Sequence, residues 1–138
     1  DEDGFLADSI RGKYLGTVIW ESNVSSTSTP IIDGKNIFIV TENGYFVILN
    51  KDTGEIISST NILKILKKKK RNTKISGFIL GSKKIYSVTL NGYMIVSSAI
   101  SGEVESSRKI GDSISSSPVV HNGKLYILTD KSKVIGFN

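Results

Sequence analysis

Short apolar segments, each about five residues long and rich in β-branched side chains, alternate with polar turn residues along most of this chain. IFIV at 37–40 and FVIL at 46–49 flank Asn43-Gly44, and Asp33-Gly34, Asn91-Gly92 and Asn122-Gly123 also stand between apolar runs. Such pairs tolerate the positive φ that a two-residue hairpin turn demands. Asp52-Thr53-Gly54 and Ser101-Gly102 mark a further reversal. The segments are too short and too β-branched for helices, so the pattern predicts antiparallel strands. In one unit they fall at 28–32, 36–41, 45–50 and 55–59.

The unit recurs. IFIVTENGYFVILNKDTGE, from Ile37, aligns without a gap with IYSVTLNGYMIVSSAISGE, from Ile85, at an offset of 48. This matches Thr41 with Thr89, Tyr45 with Tyr93, and Gly54-Glu55 with Gly102-Glu103. A third copy, PVVHNGKLYILTDKSKVIGFN from Pro118, aligns with PIIDGKNIFIVTENGYFVILN from Pro30 at an offset of 88. The second and third copies are thus 40 apart, and the first interval is eight residues longer than the second. Four strands in about 40 residues is the arithmetic of a β-propeller blade.

Asp3-Gly4 and FLADSI read as a turn and a third strand, and residues 16–20 as a fourth, so 3–20 is the end of a blade. Whole blades follow at 24–60 and 74–110, residues 114–138 supply three strands of a last blade, and 61–73 is an inter-blade insertion. The expected fold is all-β: four-stranded antiparallel blades of a propeller, as the C-terminal portion of a larger one. The opening at Asp1 rather than Met suits a chain that has lost an upstream piece.

Trp20, Pro30 with its apolar pair, Asp33-Gly34, Asn43-Gly44-Tyr45 and Thr53-Gly54-Glu55 together resemble the PQQ-like repeat of quinoprotein alcohol dehydrogenases and of BamB-like envelope proteins. The resemblance covers nearly the whole chain. In that repeat a Trp four residues after a Thr-Gly glycine docks between neighbouring blades, which implies that role for Trp20 after Gly16. Ser58 and Ser106 stand at the corresponding places after Gly54 and Gly102, so weaker inter-blade packing is expected there. The quinoprotein enzymes stack their cofactor on a Trp and a vicinal disulfide and hold Ca²⁺ through carboxylate and amide oxygens. This chain has no Cys and a single Trp, and no cluster of Asp, Glu and Asn in hard-cation spacing. The resemblance therefore favours the BamB-like, non-enzymatic branch, with no cofactor, a protein partner and a place in the periplasm or cell envelope. A fragment of a PQQ-dependent dehydrogenase is the alternative.

Charge adds one local feature. The chain carries 18 basic and 13 acidic side chains, and Lys67, Lys68, Lys69, Lys70 and Arg71 account for the whole excess of five. Phosphate-tracking proteins spread cations over a face and interleave aromatics, so nucleic acid is not favoured. The block reads as a solvated loop whose like charges repel, as a docking patch for an acidic protein or peripheral contact with an anionic surface, or as an anion-binding module. It should lie beside Asn43-Gly44 and Asn91-Gly92, because in a propeller both connections emerge on one rim. The preceding ILKIL fits either a helical turn or a strand extension.

The remaining candidates read as structure. His121 occupies the turn position of Asp33 and has no Cys, Glu or second His nearby in sequence, so it is not a ligand or base. The serine clusters at 25–29 and 113–117 recur before a proline and lack a base, so no nucleophile is assigned. Gly34, Gly44, Gly54, Gly92, Gly102 and Gly123 are repeat turns, while Tyr45, Tyr86, Tyr93, Tyr126, Phe38 and Phe46 are expected to pack. Fewer than four blades close poorly alone, so a homodimer ring of about six blades is expected if the chain is whole. No run approaches the roughly 18 apolar residues that span a membrane.

Overall fold

A computed structural model describes residues 17–24 and 28–138. Three antiparallel sheets follow one another along the chain. The first blade comprises β1 (Ile31–Asp33), β2 (Asn36–Val40), β3 (Tyr45–Asn50) and β4 (Ile56–Asn61). The second comprises β5 (Ile75–Gly81), β6 (Lys84–Thr89), β7 (Tyr93–Ser98) and β8 (Val104–Lys109). The third has β9 (Val119–His121), β10 (Lys124–Leu128) and β11 (Val134–Phe137). Strands neighbour one another in chain order within every sheet, as in an up-and-down propeller blade.

The middle strands lie where the alternation places them, but the flanking ones shift. β1 starts at Ile31 rather than 28, because Pro30 has no N–H for a ladder and pairing begins with Ile31 opposite Phe38. β4 runs on to Asn61, two residues past the expected end, with Asn61 opposite Tyr45. The expected turn and strand at 3–15 and the glycine at 16 lie outside the described residues. Residues 17–20 form no strand among those described.

Period-two alternation turns each blade into a two-faced slab. Phe38, Val40, Phe46 and Ile48 of the first blade meet Ile75, Phe78, Ile85 and Ile95 of the second in one core. The opposite face of the second blade, with Val88 and Met94, meets Leu125 and Ile127 of the third. Ile39, Val47 and Leu49 face the other way, under Trp20 and Val24. β5 and the segment leading into β9 lie close enough that a Cβ on Gly77 would collide with Ser117. On the outer face of the third blade Val119, Leu128 and Val134 are 60%, 51% and 70% exposed, an apolar surface shaped like the faces buried between blades.

The interface at Ser58 is filled, contrary to the weaker packing expected there. Phe38 and Phe46, with ring centroids 6.1 Å apart, lie on the same face of the first blade as Ser58 and fill the first inter-blade core beside it. Blade two answers with small residues: Ser87 and Ser97 are fully buried and their hydroxyls have no protein partner. Tyr45, expected to pack, is 41% exposed: it shares a face with Val47 and Leu49, the side of the first blade that no other described blade covers.

Candidate interaction surface

One rim carries the turns β2–β3, β6–β7 and β10–β11 together with the connections β4–β5 and β8–β9. Its turns share a construction. The Thr41 hydroxyl donates to Asn43 Oδ1 at 2.8 Å and accepts from the Tyr45 amide at 2.9 Å. Thr89 repeats this with Asn91 at 2.5 Å and Tyr93 at 3.0 Å, and Thr129 accepts from the Lys133 amide at 3.2 Å. The threonine recurring in the alignment is therefore a turn brace, and Thr41, Thr89 and Thr129 are all buried. Ser132 occupies the glycine position of the third turn with φ of 64°.

Backbone bonds join the turns to the connections. Ile62 N–H donates to Gly44 O at 2.8 Å and Ile75 N–H to Glu42 O at 2.8 Å. Ile110 N–H donates to Gly92 O at 2.7 Å, and Asp130 N–H to Ser113 O at 2.9 Å. The rim is thus one hydrogen-bonded frame running across all three blades.

The basic loop belongs to this frame. ILKIL is neither solvated nor a strand extension alone: β4 ends at Asn61, whose side chain caps a 3₁₀ helix at Ile62–Ile65 by accepting from the Leu63 amide. Ile62, Leu63 and Leu66 are buried in the core between the first two blades. Gly44 makes room for this, since a Cβ there would sit 2.6 Å from Leu63 Cγ and Cδ1. A second 3₁₀ turn, Lys68–Lys70, carries the lysines. Arg71 is not one of five equivalent solvated charges: its Nε donates to Leu66 O and its Nη2 to Lys64 O, both at 2.8 Å, closing the loop into a hoop. Asn91 Nδ2 donates to Lys70 O at 3.0 Å, so the block does lie beside the Asn91-Gly92 turn.

Two clefts flank the hoop. Towards the rim, Asn43, Asn72, Asn91, Thr73 and Lys74 line a cavity of about 640 Å³. On the outer side Ile65, Lys67, Lys69, Lys70, Tyr93 and Lys109 line a groove of about 510 Å³.

Trp20 covers the first blade's outer turn. Its indole N–H donates to Lys51 O at 2.7 Å, and its ring lies so close over Gly54 that a Cβ there would enter it. One repeat later Ser58 stands over Gly102 in the same way, with Ile48 beside it. Sequence comparison alone matches these positions, but only the packing shows that each meets the glycine of the next unit. Gly34, Gly44, Gly54, Gly92, Gly102 and Gly123 all have positive φ.

Among the described residues the other candidates gather into no catalytic group. His121 ends β9, exposed. The second serine cluster braces an acid: Ser113 and Ser115 donate to Asp130 Oδ2 at 2.6 and 2.9 Å. These two bonds, Ser113's first, hold the Asp130 carboxyl below its ordinary value. Asp112 meets Lys131 at 3.6 Å and Lys133 at 3.4 Å. The first serine cluster falls mostly outside the described residues. Among the described residues no three of His, Cys, Asp or Glu converge as a metal site would need, and no helix is long and apolar enough to cross a membrane. Nor do the side chains suit a stacked quinone, because Trp20 is committed to Gly54 and the chain has no Cys.

No protein-family model and no curated protein matches the sequence. Solved structures do match. BamB from Moraxella catarrhalis is similar over 88% of this chain and 35% of its own, at 18% identity and a TM-score of 0.68. A quinohemoprotein alcohol dehydrogenase from Pseudomonas putida is similar over 80% of this chain and 18% of its own, at 16% identity and a TM-score of 0.63. That from Comamonas testosteroni covers 75% and 17%, at 17% identity and a TM-score of 0.57. The chain spans about a third or less of the length of these proteins. At such identities the likeness establishes architecture and not activity, and the architecture is that of antiparallel β-propeller blades.

Proposed function

We propose that this chain is part of a non-catalytic, BamB-like β-propeller scaffold that holds a protein partner on the rim bearing Asn43, Asn91 and the basic loop. The observation that carries this reading is the continuous backbone frame of that rim, from Ile62 on Gly44 to Asp130 on Ser113. A surface fixed in advance loses little conformational entropy on binding, which is what a scaffold needs. The exposed face of Val119, Leu128 and Val134 fits burial against a further blade, from a longer chain or from a second copy closing a ring. Resemblance to BamB supports the periplasm or cell envelope as the location of such a scaffold.

A photo-crosslinker at Asn43 or Asn91, compared with one at Asn122 on the opposite rim, tests the scaffold in extracts of the cells that make it. Discrete protein adducts from the first two positions and none from the third are expected; no adduct at either rim sinks the reading. The competing dehydrogenase fragment predicts saturable, stoichiometric uptake of PQQ in the presence of Ca²⁺. The scaffold predicts none.

A further inference from the structure

The outer groove beside the basic hoop has the features of a peptide site. Lys67, Lys69, Lys70 and Lys109 line it without a carboxylate among the lining residues. Lys51 with Asp52, Lys74 with Glu42, Lys84 with Glu105, and Lys131 and Lys133 with Asp112 are paired elsewhere on the fold. The groove lysines have no ion pair among the described residues. Four uncompensated cations held together cost repulsion, and the fold does not let them scatter. Leu66 is buried beneath them, Arg71 ties the loop's carbonyls, and Asn91 holds Lys70 O. A positive field on a rigid frame is a preorganised receptor for negative charge.

Two further features narrow the occupant. The floor is amphipathic, with the partly exposed Ile65 and the half-buried Tyr93 between the lysines, whereas a bare phosphate site has no use for an apolar floor. One wall is β8, an outer strand paired to β7 alone among the described strands, with five of its six residues exposed. Ser107 and Lys109 of β8 line the groove. Lys109 stands opposite Tyr93 of β7 and Ser107 two residues along, so these lining side chains share one face of the sheet, and a chain laid across that face meets them from one side.

From this juxtaposition we infer that the groove between the Lys68–Lys70 turn and the face of β7 and β8 binds an extended acidic peptide segment of the partner. Carboxylates at alternate positions meet Lys67, Lys69, Lys70 and Lys109, and intervening apolar side chains rest on Ile65 and Tyr93. The inference rests on the scaffold reading and gives the partner a chemistry.

The probe is a short fluorescein-labelled peptide alternating Glu with Val, titrated by anisotropy against the full 138-residue chain. Saturable binding is expected, weakening as salt shortens the screening length towards about 8 Å at about 0.15 M. Substituting Lys67, Lys69 and Lys70 together by Gln should weaken it roughly tenfold, the range of a few exposed ion pairs. The equal charge change Lys51→Gln, Lys131→Gln and Lys133→Gln should leave it intact. A peptide with Gln for each Glu should not bind. Equal loss in both triple variants would reduce the effect to net charge and overturn the site. Competition by inorganic phosphate as strong as by the peptide would make it a plain anion site. Capture by phosphatidylcholine vesicles containing phosphatidylserine, without peptide binding, would replace the peptide with a membrane. If the peptide fails while Asn43 and Asn91 still crosslink to protein, the groove is wrong and the scaffold stands; if the crosslinks fail too, both fall.

Discussion

Leu63→Ala strikes the joint that seats the basic hoop on the propeller. Leu63 is 6% exposed, lies in the first inter-blade core and rests directly over Gly44. Truncating a buried leucine costs about 2–5 kcal/mol, with the spread set by how far the site collapses. Here one wall is a loop that can settle, so the lower half applies, about 2–3 kcal/mol. Against a total of roughly 5–15 kcal/mol this is a large loss. At about 3 °C per kcal/mol for a chain of this size it lowers the melting temperature by about 6–9 °C. Gly44→Ala probes the same contact from below: its φ of 99° strains any Cβ, and that Cβ meets Leu63. The double variant relieves the collision but not the strain, so it should be less destabilised than the two singles added, by about 1 kcal/mol. Thermal melts by circular dichroism give the cycle, and hydrogen exchange at the amides of Ile62 and Leu66 reports whether the loop has let go. Additive losses with unchanged exchange would show that Leu63 is not seated on Gly44.

Four further outcomes follow from single contacts. Gly54→Ala should push the ring of Trp20, the only tryptophan, off the turn after β3, shifting its emission to the red; an unchanged spectrum would refute the contact. Ser132→Gly should stabilise by about 0.5–1 kcal/mol, because a residue at φ of 64° gives way to one with no Cβ penalty, and a loss in chemical denaturation would mean that the Ser132 side chain is needed. Ser97→Ala deletes a buried hydroxyl with no protein partner and should be neutral or stabilising by up to about 1 kcal/mol, whereas a loss above that would reveal a hidden hydrogen bond. Asp130 should titrate in carboxylate NMR below its ordinary value of 3.8, and Ser113→Ala should raise it. Since the folded value is the lower one, the associated stability is present above the unfolded value and lost as pH falls through the folded one; an Asp130 midpoint unmoved by Ser113→Ala would refute the cause.

Legibility from sequence followed the range of the interactions involved. The bounds of β2 and β3 were readable because Asn43-Gly44 and the Asp52-Thr53-Gly54 turn are local chemistry, with Thr41 and Asn50 bonding amides two to four residues away. The start of β1 was missed although Pro30 announces it, since a missing ladder donor outweighs an apolar pattern. The filled interface at Ser58 was not readable. Ser58 shows that a large residue is absent at one position, while Phe38 and Phe46, which fill the core beside it, stand on β2 and β3 and share its face only once the strands pair. Inter-blade packing conserves volume across a gap and not residue by residue, so a repeat consensus predicts where blades meet better than what fills them.

The basic loop shows the same limit from the functional side. Its charge was the most visible feature of the sequence, and reading it as a solvated run treated its residues as equivalent. In the fold they divide by a distance of a few residues: Ile62, Leu63 and Leu66 enter the core, Arg71 spends its guanidinium on two carbonyls, and Lys67 to Lys70 are left facing outward. The buried half is what makes the exposed half useful. A disordered tetralysine would lose conformational entropy on meeting an acidic chain and bind it weakly, whereas the hoop has already lost that entropy in folding, offset by leucine burial. Leu63→Ala should therefore weaken peptide binding as well as stability although Leu63 does not line the groove, while Lys67→Gln should weaken binding and leave the melt unmoved. Binding that survived Leu63→Ala with the loop released would separate the charge from its frame, and the groove would then be no more than a place where lysines happen to be.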